Sequence, residues 1–199
     1  RVLFRSQQGG RLAVQLAQTA VGRQADALLR QVWANLLANA ESIVSYLQMQ
    51  PRDQALTALP FAYSYGLSVI HSHLLCGASL VLCNDSPLQR GFWDCLKQHA
   101  ITQLVGVPYS YQIYEQLRFR RQSWPHLRIL TQAGGRLAPE RVRDYALWCR
   151  EQGIAFYVMY GQTEATARIS YLPPELALSD DLLEDLRDAV RGCLRRVAF

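Results

Sequence analysis

The sequence predicts an α/β domain built on a mostly parallel, doubly wound sheet, in which strands and helices alternate. Short apolar runs rich in β-formers alternate with segments of helical periodicity from residue 35 to residue 160. Gly, Pro or Asn punctuates nearly every junction between them. Three of the predicted strand ends, 60–66, 134–135 and 161–166, collect glycines, aromatics and hydroxyls. In such sheets ligands gather beyond the carboxyl ends of the strands, so these three places are expected to converge on one crevice.

Residues 1–33 contain no clear strand and read as irregular or loosely helical. Leu36, Leu37, Ala40, Ile43, Val44 and Leu47 recur at helical spacing, which predicts an amphipathic helix with Asn35 as its N-cap. Ala55 to Leu59 reads as a buried strand closed by Pro60. Gly66 to Cys76 reads as a helix with Leu67, Ile70, Leu74 and Leu75 on one face and Gly77 as its stop. Ser79 to Cys83 is the second strand, and Ser86-Pro87 starts a helix that runs to about His99. Ile101 to Val107 is the third strand, stopped by Pro108, and Tyr109 to Leu117 the helix after it. Leu127 to Ala133 is the fourth strand and ends in Gly134-Gly135. Pro139 opens a helix that Gly153 stops, and Ile154 to Tyr160 is the fifth strand. Ser179 to Val197 reads as an amphipathic helix with acids leading and arginines trailing, as its dipole favours.

Half of the 199 residues are apolar and 19% are charged, the balance of an ordinary globular domain. The net charge of +5 comes from twenty arginines and the single Lys97 against sixteen acids. The densest basic cluster, Arg118-Phe119-Arg120-Arg121, is short and reads as a solvated loop rather than a nucleic-acid footprint. Cys76, Cys83, Cys95, Cys149 and Cys193 are widely spaced without a Cys-x-x-Cys pair, which favours buried thiols in a reducing compartment. His71 and His73 would point about 200° apart on a helix and make poor co-ligands for a metal. No signal peptide is visible, and the longest apolar run, 66–83, is broken by Ser68, His71, Ser72, His73 and Gly77. No membrane span and a cytoplasmic location are therefore the expectation. A chain that starts at Arg1 is consistent with a fragment.

The most informative stretch is Tyr157-Val158-Met159-Tyr160-Gly161-Gln162-Thr163-Glu164-Ala165-Thr166. A buried strand here runs into an aromatic, a glycine, a hydroxyl and a carboxylate. Tyr160 offers a π face to a base, and Gly161 lets backbone come close. Thr163 can bond a phosphate oxygen, and Glu164 can hold a hard cation such as magnesium. Three further places fall in order along the chain: Trp33 to Ala40, Leu59-Pro60-Phe61-Ala62-Tyr63-Ser64-Tyr65-Gly66-Leu67, and Thr131-Gln132-Ala133-Gly134-Gly135-Arg136-Leu137.

Together these motifs resemble the adenylate-forming (AMP-binding) enzymes, which include acyl-CoA synthetases and the adenylation domains of peptide synthetases. The match covers about residues 34–175. The resemblance implies the large N-terminal domain of such an enzyme in part, between a divergent segment 1–33 and a C-terminal helix, 176–199, outside the family pattern. It implies that Gly134 and Gly135 approach the base, that Tyr160 packs on the adenine, and that Gly161 and Gln162 complete the nucleotide loop. Thr163 would bond the α-phosphate and Glu164 would ligate magnesium. Tyr63, Tyr65, Gly66, Gln132 and Ala133 would border the carboxylic-acid pocket. The implied chemistry is ATP-dependent formation of an acyl adenylate. A thiol of coenzyme A or of carrier-protein pantetheine then takes the acyl group, which makes an acyl carrier protein a candidate partner.

Two departures shape the expectation. Gly22 to Arg30 stands where the family's glycine-rich phosphate loop and its lysine would be. The C-terminal regions carrying a ribose-binding acid and a catalytic lysine find no counterpart here. Amino-acid-activating members usually place an aspartate in the aromatic motif; Phe61 to Leu67 has none, which favours fatty or aryl acids. The alternative is a non-catalytic remnant or interaction module of the same fold, and a generic nucleotide-binding domain is a third reading.

Overall fold

The computed structural model describes residues 20–163 and 167–179, with side chains from Val32 onward. Its strands are β1 (Gln54–Leu56), β2 (Ser79–Val81), β3 (Gln103–Gly106), β4 (Ile129–Gln132), β5 (Ala155–Tyr160) and β6 (Ser170–Leu172). They form one sheet in the order β2-β1-β3-β4-β5-β6, parallel throughout except for the antiparallel β5–β6 pair. The helices are α1 (Ala20–Tyr46), α2 (Ser64–Cys76), α3 (Arg90–Gln98), α4 (Pro108–Gln116) and α5 (Pro139–Glu151). This is the doubly wound α/β sheet that the alternating pattern predicts.

β3 and β4 are buried along their whole length. Their two-residue period chooses between two cores, not between core and water, and Gln103, Thr131 and Gln132 are buried with the apolar residues. Leu56, Leu104, Leu130, Phe156 and Val158 face a core shared with Phe92, Tyr111, Tyr114, Tyr145 and Cys149 of α3, α4 and α5. Ala55, Val105, Ile129, Tyr157 and Met159 face the other core, with Ile43 of α1 and Tyr65 and Val69 of α2. Chain order reverses between β1 and β3, so the crevice of a doubly wound sheet falls at their carboxyl ends.

The opposite ends of the same strands are pinned by Asp53. Its carboxylate accepts from Arg128, from the Gln50 amide at 2.7 Å and from the Thr102 hydroxyl at 3.0 Å. These residues stand just before β1, β3 and β4. Burial alone would raise the Asp53 carboxyl, but the hydrogen bonds from Arg128, Gln50 and Thr102 and the guanidinium charge outweigh it and hold it below the usual range.

Several local expectations are corrected. Asn35 lies inside α1, which starts at Ala20, and its neighbours continue an unbroken helical ladder; it caps nothing. In α2 the buried stripe is Tyr65, Ser68, Val69, Ser72 and His73, while Leu67 and Leu75 are exposed. Polar residues win that face because their side chains bond within the helix. The Ser68 hydroxyl donates to the Tyr65 carbonyl and that of Ser72 to the Val69 carbonyl. α3 starts at Arg90, not at Pro87, because the Gln89 side chain accepts from the Ser86 amide at 2.6 Å and closes a turn first. The basic cluster is no solvated loop throughout: Phe119 is fully buried in a 3₁₀ turn, stacked on Trp124, and Arg120 pairs with Glu115 over the Tyr145 ring. Strand β6 was not foreseen. The predicted helix beyond Ser179 lies outside the described residues.

Candidate functional site

The three strand ends singled out in the sequence meet at the start of α2. Tyr63 precedes the helix, and its hydroxyl stands over Gly134, where a Cβ would collide with it. Ser64, one residue on, places its hydroxyl 3.2 Å from that of Thr163. A single turn of chain thus touches both the glycine pair after β4 and the motif after β5. Gly134 has φ +76°, a left-handed conformation that a side chain would strain. The Gly135 backbone lies against the Pro108 ring after β3. The result is an exposed glycine turn at the crevice, its Cβ sides already occupied by Tyr63 and Pro108.

On the β5 side, Tyr160 is half-buried and its hydroxyl accepts from the Gln162 amide group. Gln162 and Thr163 are exposed. Gly161 is pressed against the Ala167 carbonyl, so the chain closes on itself and leaves no room for a Cβ. Glu164, with Ala165 and Thr166, lies outside the described residues. Among the described residues no group of three or more His, Cys, Asp or Glu converges as a metal site.

The residues assigned to the acid pocket divide into two kinds. Tyr63 and Gly66 stand at the crevice, and a Cβ on Gly66 would strike the Pro60 carbonyl. A small space bordered by Leu59, Phe61, Gly66, Val69 and Val105 opens beside it. Tyr65, Gln132 and Ala133 are buried beneath. The Tyr65 hydroxyl lies 2.7 Å from Thr131 Oγ1; burial pushes its pKa up to about 12 despite the Arg168 charge and the Thr131 bond. Gln132 Nε2 donates to the Gly135 carbonyl at 2.8 Å and so braces the glycine turn from below.

Sequence reasoning missed Arg168. It is buried, with Nε donating to the Ser68 hydroxyl at 2.9 Å and its guanidinium 5.1 Å from the Tyr65 ring centroid. Its carbonyl accepts from Asn39 of α1 at 3.1 Å, which ties the return after the β5 motif to the first helix. No sequence signal marks it, since one arginine among twenty carries no pattern. His73 is the second buried polar residue that was missed as such. It lies 2.8 Å from the Val69 carbonyl through Nδ1, and burial pushes its pKa down to about 4.

The geometry has counterparts among known folds. The N-terminal domain of FACL13 from Mycobacterium tuberculosis superposes with a TM-score of 0.61 at 19% identity, covering 72% of this chain and 36% of that one. O-succinylbenzoate coenzyme A synthetase (MenE) from Bacillus subtilis, in complex with AMP, gives 0.61 at 24% identity over 72% of this chain and 28% of its own. The same synthetase is known with ATP and a magnesium ion. The adenylation domain of a keto acid-selecting peptide synthetase module, bound to a keto acyl adenylate, gives 0.59 at 14% identity over 69% and 27%. The chain therefore spans about a third of the length of these solved relatives. No protein of curated function matches the chain. The family model for AMP-binding enzymes matches residues 29–189, a stretch that takes in the glycine pair, the start of α2 and the motif after β5. With the sheet order and the crevice already of that type, the chain belongs to the AMP-binding enzyme family.

Proposed function

We propose that the crevice binds an adenylate and forms the base, α-phosphate and acid-binding portion of an enzyme that activates a carboxylic acid. The observation that carries this reading is the single turn at Tyr63-Ser64, which joins Gly134 to Thr163. In the reaction a carboxylate oxygen attacks the α-phosphorus of ATP, the bond to pyrophosphate breaks, and an acyl adenylate forms. A thiol, of coenzyme A or a carrier pantetheine, then displaces AMP to give a thioester.

The exposed backbone at Gly134-Gly135 would border the base, and Tyr160 stands at the same end of the neighbouring strand β5. Thr163 would donate to the α-phosphate, and Glu164 would hold magnesium. That ion, when bound, supplies charge neutralisation at the phosphates. The protein's own work is alignment of the carboxylate and exclusion of water.

One observation favours binding without turnover by this chain. Residues 22–30, where the family keeps its phosphate loop, lie inside α1. From Gln24 onward their amides are spent on the helical ladder and offer no glycine-rich cradle to pyrophosphate. Calorimetric titration with AMP, alongside acid-dependent exchange of pyrophosphate into ATP, tests both readings. AMP binding with no exchange is the expected result. Absence of AMP binding overturns the adenylate site, and strong exchange overturns binding without turnover.

A further inference from the structure

The basic turn after α4 is held more firmly than a loop that only meets water. Phe119 is fully buried, stacked on Trp124 at 4.9 Å and on Tyr114 at 5.2 Å between ring centroids. Two indoles fix the backbone beside it: Trp124 Nε1 donates to the Phe119 carbonyl at 3.0 Å, and Trp148 Nε1 to the Arg120 carbonyl at 3.1 Å. The Arg121 amide donates to the Arg118 carbonyl at 2.9 Å and closes the turn. Arg118 itself sits at φ +55°, a left-handed conformation that disfavours any residue with a side chain. The arginines of this turn are thus displayed from a pre-organised frame.

They border a cleft of about 520 Å³, lined by Glu115, Gln116, Arg118, Arg120, Arg121 and Trp148, a size that suits a small ligand. Its charges do not balance. Glu115 is the one carboxylate of the lining, and it is spent on Arg120, which meets it through Nε and Nη2 at 3.1 Å each. Asp144 also acts on Arg120 but lies outside the lining. Arg118 and Arg121 are exposed, and among the described residues no ion pair includes either of them. Two like charges therefore stand at the ends of one closed turn, with nothing in the lining to neutralise them. The place is remote from the crevice. α4 leaves the crevice at Pro108, against Gly135, and runs away from it to Gln116. α5 brings Trp148 to the same end, just before the chain turns into β5.

We propose that this cleft is a second ligand site, for a small molecule that carries a phosphate group. Two unpaired guanidinium groups call for more than one negative charge and for several acceptor oxygens, and a phosphate supplies both. A single carboxylate supplies one charge in one plane. Gln116 adds an amide donor, and Trp148 an apolar wall for the rest of the molecule. The site is independent of the adenylate reading and stands or falls without it.

The test is calorimetry on the full chain at constant ionic strength, with inorganic phosphate and pyrophosphate titrated against succinate, a dianion without phosphate. At least one of the two phosphates should bind about tenfold or more tightly than succinate. Arg118→Gln combined with Arg121→Gln should erase that binding, and Arg121→Gln alone should weaken it. Arg52→Gln combined with Arg90→Gln removes the same charge elsewhere on the surface and should leave it within twofold. Thermal melting checks that all variants fold. Absence of phosphate and pyrophosphate binding, or equal affinity for succinate, overturns the proposal in the unaltered chain with no variant needed. Binding that survives the Arg118 and Arg121 changes belongs to the crevice or another surface, and overturns it too. Equal loss in the Arg52 and Arg90 control reduces the effect to net charge and has the same consequence.

Discussion

The Tyr65 hydroxyl meets Thr131 Oγ1 at 2.7 Å in the core beneath the crevice. From the other side of the sheet, the Tyr111 hydroxyl donates to the Thr131 carbonyl at 2.9 Å. One residue of β4 is thus gripped from both faces, two positions before Ala133 and three before Gly134. Tyr65→Phe leaves Thr131 Oγ1 buried and unpaired, and should cost about 1–3 kcal/mol in urea denaturation. Adding Thr131→Val should cost less than the sum of the two single changes. Strict additivity would show that the two hydroxyls do not act as a pair.

His73 gives the fold an acid-sensitive element well above the carboxylate range. Burial holds its folded-state pKa at about 4, against 6.5 for the free group. The unfolded chain therefore binds the proton first, and the stability is whole above 6.5 and drains away as pH falls towards 4. The loss should reach about 3 kcal/mol. Denaturation midpoints for the unaltered chain should fall across this window, and those of His73→Gln should stay flat. Parallel profiles would show that the imidazole titrates normally.

At Asp53 the sign is the same but the window is lower. Its folded pKa lies below 3.8, so its contribution is present above that value and lost as pH falls beneath it. Asp53→Asn should destabilise the chain by about 1–2 kcal/mol near neutrality and flatten the acid limb of the stability profile. An unchanged acid limb would assign that limb to other carboxylates.

Gly134→Ala places a Cβ against the Tyr63 hydroxyl on a backbone with φ +76°. The strain is worth about 1–2 kcal/mol, small enough for the domain to stay folded. AMP affinity should fall about tenfold or more, because the added methyl displaces the Tyr63 hydroxyl and disturbs the turn proposed to border the base. Full affinity with only a lowered melting temperature would move the base elsewhere.

The sheet was legible because its strands are short, apolar and separated by Pro and Gly. The crevice was legible in outline, since glycines and hydroxyls at strand ends have no reason to be there in a mere core. Counting hydrophobic residues misled at α2, where Ser68 and Ser72 satisfy their own hydroxyls within the helix and take the buried face from Leu67 and Leu75. Periodicity extended poorly upstream of Asn35, because Gly22 to Arg30 carries few apolar residues on one face yet continues α1. Arg168 was invisible for a different reason. Its burial follows from the antiparallel return of β6 alongside β5, a pairing that no local pattern encodes.

The two cores on either side of the sheet also act as a proofreader of strand register during folding. Ile129 and Thr131 of β4 face α1 and α2, whereas Leu130 packs with the aromatic side chains under α4 and α5. Losing one residue before Ile129 would rotate all of them to the wrong layer at once. The Thr131 hydroxyl would then be delivered into the ring cluster of Tyr111, Tyr145 and Phe156, and Gln132 would take the place in which Thr131 meets Tyr65. Misregistered intermediates are therefore penalised on both faces simultaneously, and length variation in this architecture is confined to the connecting segments.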